Sequence, residues 1–269
     1  MTENDLRAFL RSRRARISPE AAGLPRPPGV RRVPGLRREE VAQLAGVSVD
    51  YYVRLERGRN PHASPAVLDA VARALRLDPA ERDHLFALAK PGRPPQSRTA
   101  PEPVRPGLLH VLDNISGIPA LILDHRLDVA AMNRIARTFY PGFDEVPAGG
   151  WNMARFMFLD PAARELYVEW PETARENVGM LRLYAGRHPQ DPRLAEIVED
   201  LSADPDFRRL WADQDVYRPT YGAKRYRHPV VGELTLGFEA FTPAGVPHQT
   251  LGLYPVEPGS PSEAALRTL

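Results

Sequence analysis

The chain has 269 residues, 43% hydrophobic and 26% charged, which excludes disorder and fibrous repeats and suits two cores of ordinary size. The absence of cysteine removes disulfides, thiolate zinc sites and cysteine nucleophiles, and no run approaches the roughly 18 apolar residues of a membrane span; with no apolar leader in MTENDLRAFLRSRRAR, a cytoplasmic protein with no membrane partner is expected. The formal net charge of +2 hides a segregation: residues 1–100 hold 19 Lys and Arg against 11 Asp and Glu (+8), and the remainder 17 against 23 (−6), which puts an Arg-rich, phosphate-seeking surface in the first part.

Asp5 to Arg16 reads as the first helix. The following run, Ser18 to Gly35, is far longer than a usual interhelical turn and is expected to be an ordered loop. Its Arg26, Arg31 and Arg32 either reach a phosphate backbone or belong to a solvated loop, and the solvated loop is the preferred reading. From Leu36 the sequence LRREEVAQLAGVSVDYYVRLERG predicts two short amphipathic helices hinged at Gly46. In the first, Val41, Leu44 and Ala45 share a face, leaving Arg37, Arg38, Glu39, Glu40 and Gln43 outside. Gly46 supplies the left-handed backbone of a tight turn, and Ser48 can cap the second helix through the amide of Asp50 or Tyr51. Tyr52 and Leu55 turn inward there. Val49, Asp50, Val53 and Arg54 are thereby candidates for reading base edges, with Arg37, Arg38, Ser48, Tyr51 and Arg57 on phosphates of double-stranded DNA. Glu56 faces back toward the first helix, where Arg11 or Arg14 can pair with it. On pattern alone, two helices about a glycine are equally an ordinary helical hairpin; the basic charge of this part favours DNA.

Residues Arg37 to Gly58, ending in Glu56-Arg57-Gly58, resemble the helix-turn-helix of the phage-repressor-like (XRE) transcription regulators. The stretches LRREEVA, AGVSVDYY and RLERGR resemble in particular the MmyB-like group of that family. Six pairs, Ser64-Pro65, Asp78-Pro79, Asp160-Pro161, Asp191-Pro192, Asp204-Pro205 and Ser260-Pro261, join a capping oxygen to a residue preset for a helix's first turn, so each predicts a helix start. Helices from Pro65 to Leu75, with Val67, Leu68, Val71 and Leu75 inward, and from Pro79 to Ala89, with Leu85, Phe86 and Leu88, bring the count to five. That makes residues 1–90 an all-α, five-helix helix-turn-helix domain. A two-fold dimer is expected, because one recognition helix buries too little surface for tight specific binding.

Six prolines between Pro91 and Pro106 mark a semi-rigid linker, placed at 91–104. Beyond it, residues 105–269 open with a helical stripe of Leu108, Leu109, Leu112 and Ile115. The period then changes to two, and Ala120–Leu123, the turn Asp124-His125-Arg126 and Leu127–Met132 read as a hairpin. Helices dominate from Asn133 to Trp211. Leu234, Leu236, Phe238 and Ala240 then alternate with Glu233, Thr235, Gly237 and Glu239, and Leu251 and Leu253 repeat the pattern, as strands with one wet face. Strands at both ends with helices between predict an α+β domain, one antiparallel sheet covered by helices.

Asn133, FLDPAARELY from Phe158, Trp170, DPRLAEIV from Asp191, FRRLW from Phe207 and KRYRHPVVGELTL from Lys224 resemble the C-terminal domain of the MmyB-like regulators. The resemblance implies a PAS-like sensor of a small apolar ligand, a fatty acid in particular. Met132, Phe156, Met157, Phe158, Trp170 and Trp211 offer apolar surface for such a chain, although singly each reads better as ordinary core. Tyr221, Lys224, Arg225, Tyr226 and His228 are the best local source of a carboxylate partner, with only some pointing inward from a strand. No GxSxG, P-loop, GxGxxG or HExxH motif is present, so no enzyme and no cofactor are expected. The seven histidines stand apart, and His84 and His125 are expected in solvent. A haem or flavin held in the PAS-like pocket, and an antitoxin-like protein-interaction module, stay open as alternatives.

Overall fold

The computed structural model describes residues 3–25, 33, 35–59, 63–89, 103–140, 142–143, 146 and 150–269. Arg26, Arg31 and Arg32, and the expected linker up to residue 102, lie outside the described residues. The chain forms two compact units.

The first unit is all-α: α1 (Glu3–Arg16), α2 (Arg38–Ala45), α3 (Val49–Glu56), α4 (Pro65–Ala74) and α5 (Pro79–Ala89). Its core joins Leu6, Phe9 and Leu10 of α1 to Val41, Tyr52, Leu55, Leu68, Val71 and Leu85. The inward face of α2 is Val41, Ala42 and Ala45, whereas Leu44 is 36% exposed. The expected stripe is therefore rotated toward Ala42, whose small side chain is the one placed against the core. Phe86 and Leu88 are half-buried at the core's edge, while His84 is buried edge-on to the Phe9 ring at 5.0 Å, a correction to its expected solvent position. Buried Arg13 ties α1 to α5, with Nε 2.9 Å from the Glu81 carboxylate and its guanidinium 4.7 Å from the Phe9 ring centre. Burial lowers the Arg13 pKa to about 10. Before α2 the chain runs against the backbone of α1, where the Leu36 amide donates to the Arg14 carbonyl at 3.0 Å. A Cβ on Gly35 would sit 2.5 Å from Ala15 Cα, so only glycine fits that approach.

The second unit is α+β. It contains α6 (Pro106–Asn114), β1 (Ala120–Asp124), β2 (Val129–Met132), α7 (Arg134–Phe139), α8 (Met153–Leu159), α9 (Pro161–Leu166), α10 (Trp170–Arg187), α11 (Pro192–Leu201), α12 (Pro205–Ala212), β3 (Tyr221–His228), β4 (Gly232–Phe241), β5 (Gln249–Leu253) and α13 (Pro261–Leu266). The strands form one antiparallel sheet in the order β2-β1-β5-β4-β3, open at both edges and covered by helices in the manner of a PAS-like fold. On β4 the expected alternation holds, with Leu234 and Leu236 buried and Glu233, Thr235 and Glu239 exposed. At β1 it does not, because α6 covers the second face: Leu108 and Leu112 pack on Ile122, Leu251 and Leu253. Leu109 points away and is 37% exposed, so the α6 stripe is narrower than expected.

The hairpin turn is longer than its sequence suggests. Asp124 Oδ1 accepts from the amides of Arg126 (2.8 Å) and Asp128 (3.1 Å), and Leu127 is driven to φ 66°, so β2 starts at Val129. His125 is half-buried, edge-on to the Tyr184 ring at 5.9 Å, rather than in solvent. Asn133 holds this region together: its Oδ1 accepts from Ala120 (3.1 Å) and Ala136 (2.9 Å), and its Nδ2 donates to the carbonyls of Ile115 (3.0 Å) and Ile118 (2.9 Å). One amide thus caps α7 and fixes the end of α6 to β1. All six predicted helix starts are capped by the expected oxygen, which accepts from an amide two or three residues on.

Candidate functional site

In the first unit the turn between α2 and α3 is built as its residues require. Gly46 lies at φ 66°, and Ser48 Oγ accepts from the Tyr51 amide at 3.2 Å, which launches α3. The inner face of α3 is locked by Tyr52, Leu55 and Glu56, all fully buried. Its outer face presents Ser48, Val49, Asp50, Arg54 and Arg57 exposed and Tyr51 and Val53 half-buried. Arg37, before α2, is half-exposed, with its guanidinium 3.7 Å from the Glu39 carboxylate and its amide donating to Glu40 Oε2 at 2.7 Å.

Glu56 has the inward orientation expected and a stronger partner than expected. Its carboxylate meets Arg14 Nε at 3.4 Å, and it also accepts from Arg38, at 2.9 Å from Nε and 2.8 Å from Nη2. Arg38 is therefore held inside the domain through its guanidinium, with 38% of its side chain exposed, rather than extended toward a phosphate. The signal was present: Tyr52 and Glu56 are four apart, so a carboxylate shares the buried face and must find a cation. Burial first, and the Glu56 charge second, push the Tyr52 phenol pKa up.

The second unit holds a small cavity between the sheet and α10, about 50 Å³ in volume. Thr173, Glu176, Asn177 and Met180, at i, i+3, i+4 and i+7, form its wall on α10. Leu123, Thr250, Gly252, Phe238 and Lys224 line it from the sheet, and Leu127, Met153, Tyr167, Tyr217 and Tyr254 close its ends. Much of this lining is apolar. Lys224 and Glu176 form an ion pair across it. Burial, helped by the Glu176 charge, pushes the Tyr217 phenol up to about 12, and burial does the same for Tyr254. Burial also raises the Tyr167, Tyr140 and Tyr226 phenols well above their ordinary value. Asn177 Nδ2 donates to the Thr173 carbonyl at 2.9 Å, while its buried Oδ1 has no hydrogen-bond partner.

The sequence-predicted ligand residues Met132, Phe156, Phe158, Trp170, Trp211, Tyr226 and His228 do not line this cavity. Met132 lies opposite Leu121 in the hairpin, and Phe156 packs on Trp151 at 5.1 Å. Phe158 meets Trp170 at 5.7 Å and Phe207 at 5.4 Å, and Trp211 stacks on Phe207 at 5.5 Å beneath the Arg182 guanidinium. Tyr226 meets Phe139 edge-on at 5.0 Å, and His228 stacks on it at 5.4 Å. His228 Nδ1 accepts from the Val230 amide at 3.2 Å, and burial lowers its pKa. These large rings meet one another and fill the space between their elements. Of the suggested carboxylate partners, Lys224 reaches the cavity; Tyr221 is exposed and Arg225 pairs with Glu169.

Among the described residues no cluster of His, Asp and Glu has the makings of a metal site, and no helix is long and apolar enough to cross a membrane. Residues 104–269 match the MmyB-like transcription regulator ligand binding domain, and residues 5–85 match a helix-turn-helix domain. Both are regulatory domains rather than catalytic ones. No curated protein matches the chain.

Proposed function

The chain belongs to the MmyB-like transcription regulators, and from that premise we propose that it binds specific double-stranded DNA through α3 and adjusts that binding to an apolar ligand held in the second unit. The observation that carries the DNA half is the capped helix α3, locked on one face by Tyr52, Leu55 and Glu56 and open on the other at Val49, Asp50 and Arg54. Such a helix can lie in a major groove, with Ser48, Tyr51, Arg37 and Arg57 beside the phosphates. A homodimer supplies two such helices to half-sites about one helical turn apart.

For the ligand half, the apolar lining of the cavity against the sheet supports a fatty acid that widens it on binding: an apolar chain along Leu123, Leu127, Met153 and Met180, and a carboxylate at Lys224 in exchange for Glu176. The decisive experiment is selection from random duplexes, followed by binding of the selected site with and without dodecanoic acid. A selected palindromic site whose affinity changes severalfold with the acid is expected. Equal retention of all sequences at low salt would refute the DNA reading. Absence of any acid-induced shift in Tm would refute the ligand reading.

A further inference from the structure

The lining of the cavity is not suited equally to every acyl acid. Asn177 lies in the middle of α10 and is 4% exposed. The orientation of its amide is fixed, because Nδ2 donates to the Thr173 carbonyl at 2.9 Å and a flipped amide would set two acceptors against each other. Asn177 borders the cavity, and its Oδ1 is therefore a committed acceptor that receives no hydrogen bond from the protein. A buried acceptor left unsatisfied is costly, and a ligand that supplies a donor removes that cost.

An unsubstituted fatty acid carries no such donor in its chain. Resting on the apolar-ligand reading above, we propose that the cavity selects an acyl acid bearing a hydroxyl close to its carboxylate, with the hydroxyl donating to Asn177 Oδ1 and the carboxylate at Lys224. Glu176, the partner that Lys224 would release, is the residue preceding Asn177 on α10, and neighbouring helix residues differ by about 1.5 Å in rise. The two polar contacts thus belong to one end of the ligand. Leu123, Leu127 and Met180 receive the hydrocarbon.

The test titrates the delipidated full-length chain with dodecanoic, 3-hydroxydodecanoic and 12-hydroxydodecanoic acids by calorimetry. The 3-hydroxy acid is expected to bind about tenfold tighter than dodecanoic acid, and the 12-hydroxy acid no tighter. In Asn177→Leu the ratio of 3-hydroxydodecanoic to dodecanoic acid affinity falls to about one, and Asn177→Ala, which adds no bulk, loses the preference too. Equal binding of dodecanoic and 3-hydroxydodecanoic acids by the wild-type chain, or a preference that persists in both variants, overturns the proposal and leaves the fatty-acid reading standing. Binding of none of the three acids overturns both.

Discussion

Glu56→Ala is expected to be the most destabilising surface-remote change in the first unit. The carboxylate is fully buried and joins three helices, taking Arg14 of α1 at 3.4 Å and Arg38 of α2 at 2.8 Å to its own position on α3. Removing one partner of a buried pair costs about 3–5 kcal/mol, because the remaining charge stays desolvated. The Arg14 side chain is 12% exposed and bears that cost, whereas Arg38, at 38%, is partly hydrated and bears less. A net loss of about 3 kcal/mol follows. At roughly 4–8 °C per kcal/mol for a domain of this size, the first unit should melt more than about 10 °C lower. Arg38→Ala, which leaves Glu56 with Arg14, should cost about 1 kcal/mol. Trp151, Trp170 and Trp211 all lie in the second unit, so tryptophan emission follows that unit alone, while far-ultraviolet circular dichroism follows both. The expected result is an early helical transition in Glu56→Ala that tryptophan emission does not share. A helical melt within about 3 °C of wild type would refute the reasoning.

Arg54→Ala should weaken the selected site by about 1–3 kcal/mol and relax specificity at one base pair, as measured by anisotropy on single-substitution duplexes; an equal loss on every sequence would place Arg54 on a phosphate. Gly35→Ala should force apart the approach to the Ala15 backbone and cost about 2 kcal/mol or more in urea unfolding, with no compensating contact. Buried Tyr254, whose phenol rises from 10.0 to about 12, favours its neutral form in the fold. Its contribution is complete below pH 10 and is lost as pH climbs through 12, on the order of 3 kcal/mol. Tryptophan-monitored unfolding from pH 9 to 12 should show this decline together with that of the other buried phenols, and Tyr254→Phe should make it shallower by the share of Tyr254.

Helix starts were the most legible part of the chain, because a capping oxygen and a proline act within three residues of each other and need no tertiary help. The hinge at Gly46 and the cap at Ser48 were readable for the same reason. Faces were read less well where a neighbour decided them: Leu44 and Leu109 are apolar at plausible spacing, yet the smaller Ala42 and the pair Leu108 and Leu112 take the interior. The turn at Leu127 was hidden, since a leucine gives no hint of positive φ and Asp124 imposes it through two side-chain bonds. Least legible was the cavity. Its lining mixes Phe238, Tyr167, Tyr217 and Tyr254 with the short residues Thr173, Asn177 and Gly252 from distant parts of the chain, a gathering that shows only once the sheet and α10 are in place.

The serine-proline and aspartate-proline pairs have a practical corollary. Each nails a helix to a single residue of origin, because the ring dictates the dihedral and the preceding oxygen has one amide within reach. Such helices cannot creep along the chain when a connecting segment is lengthened. Engineers who want to splice a reporter into this scaffold should therefore cut just upstream of one of these dipeptides, where the downstream rod will restart at its own marker.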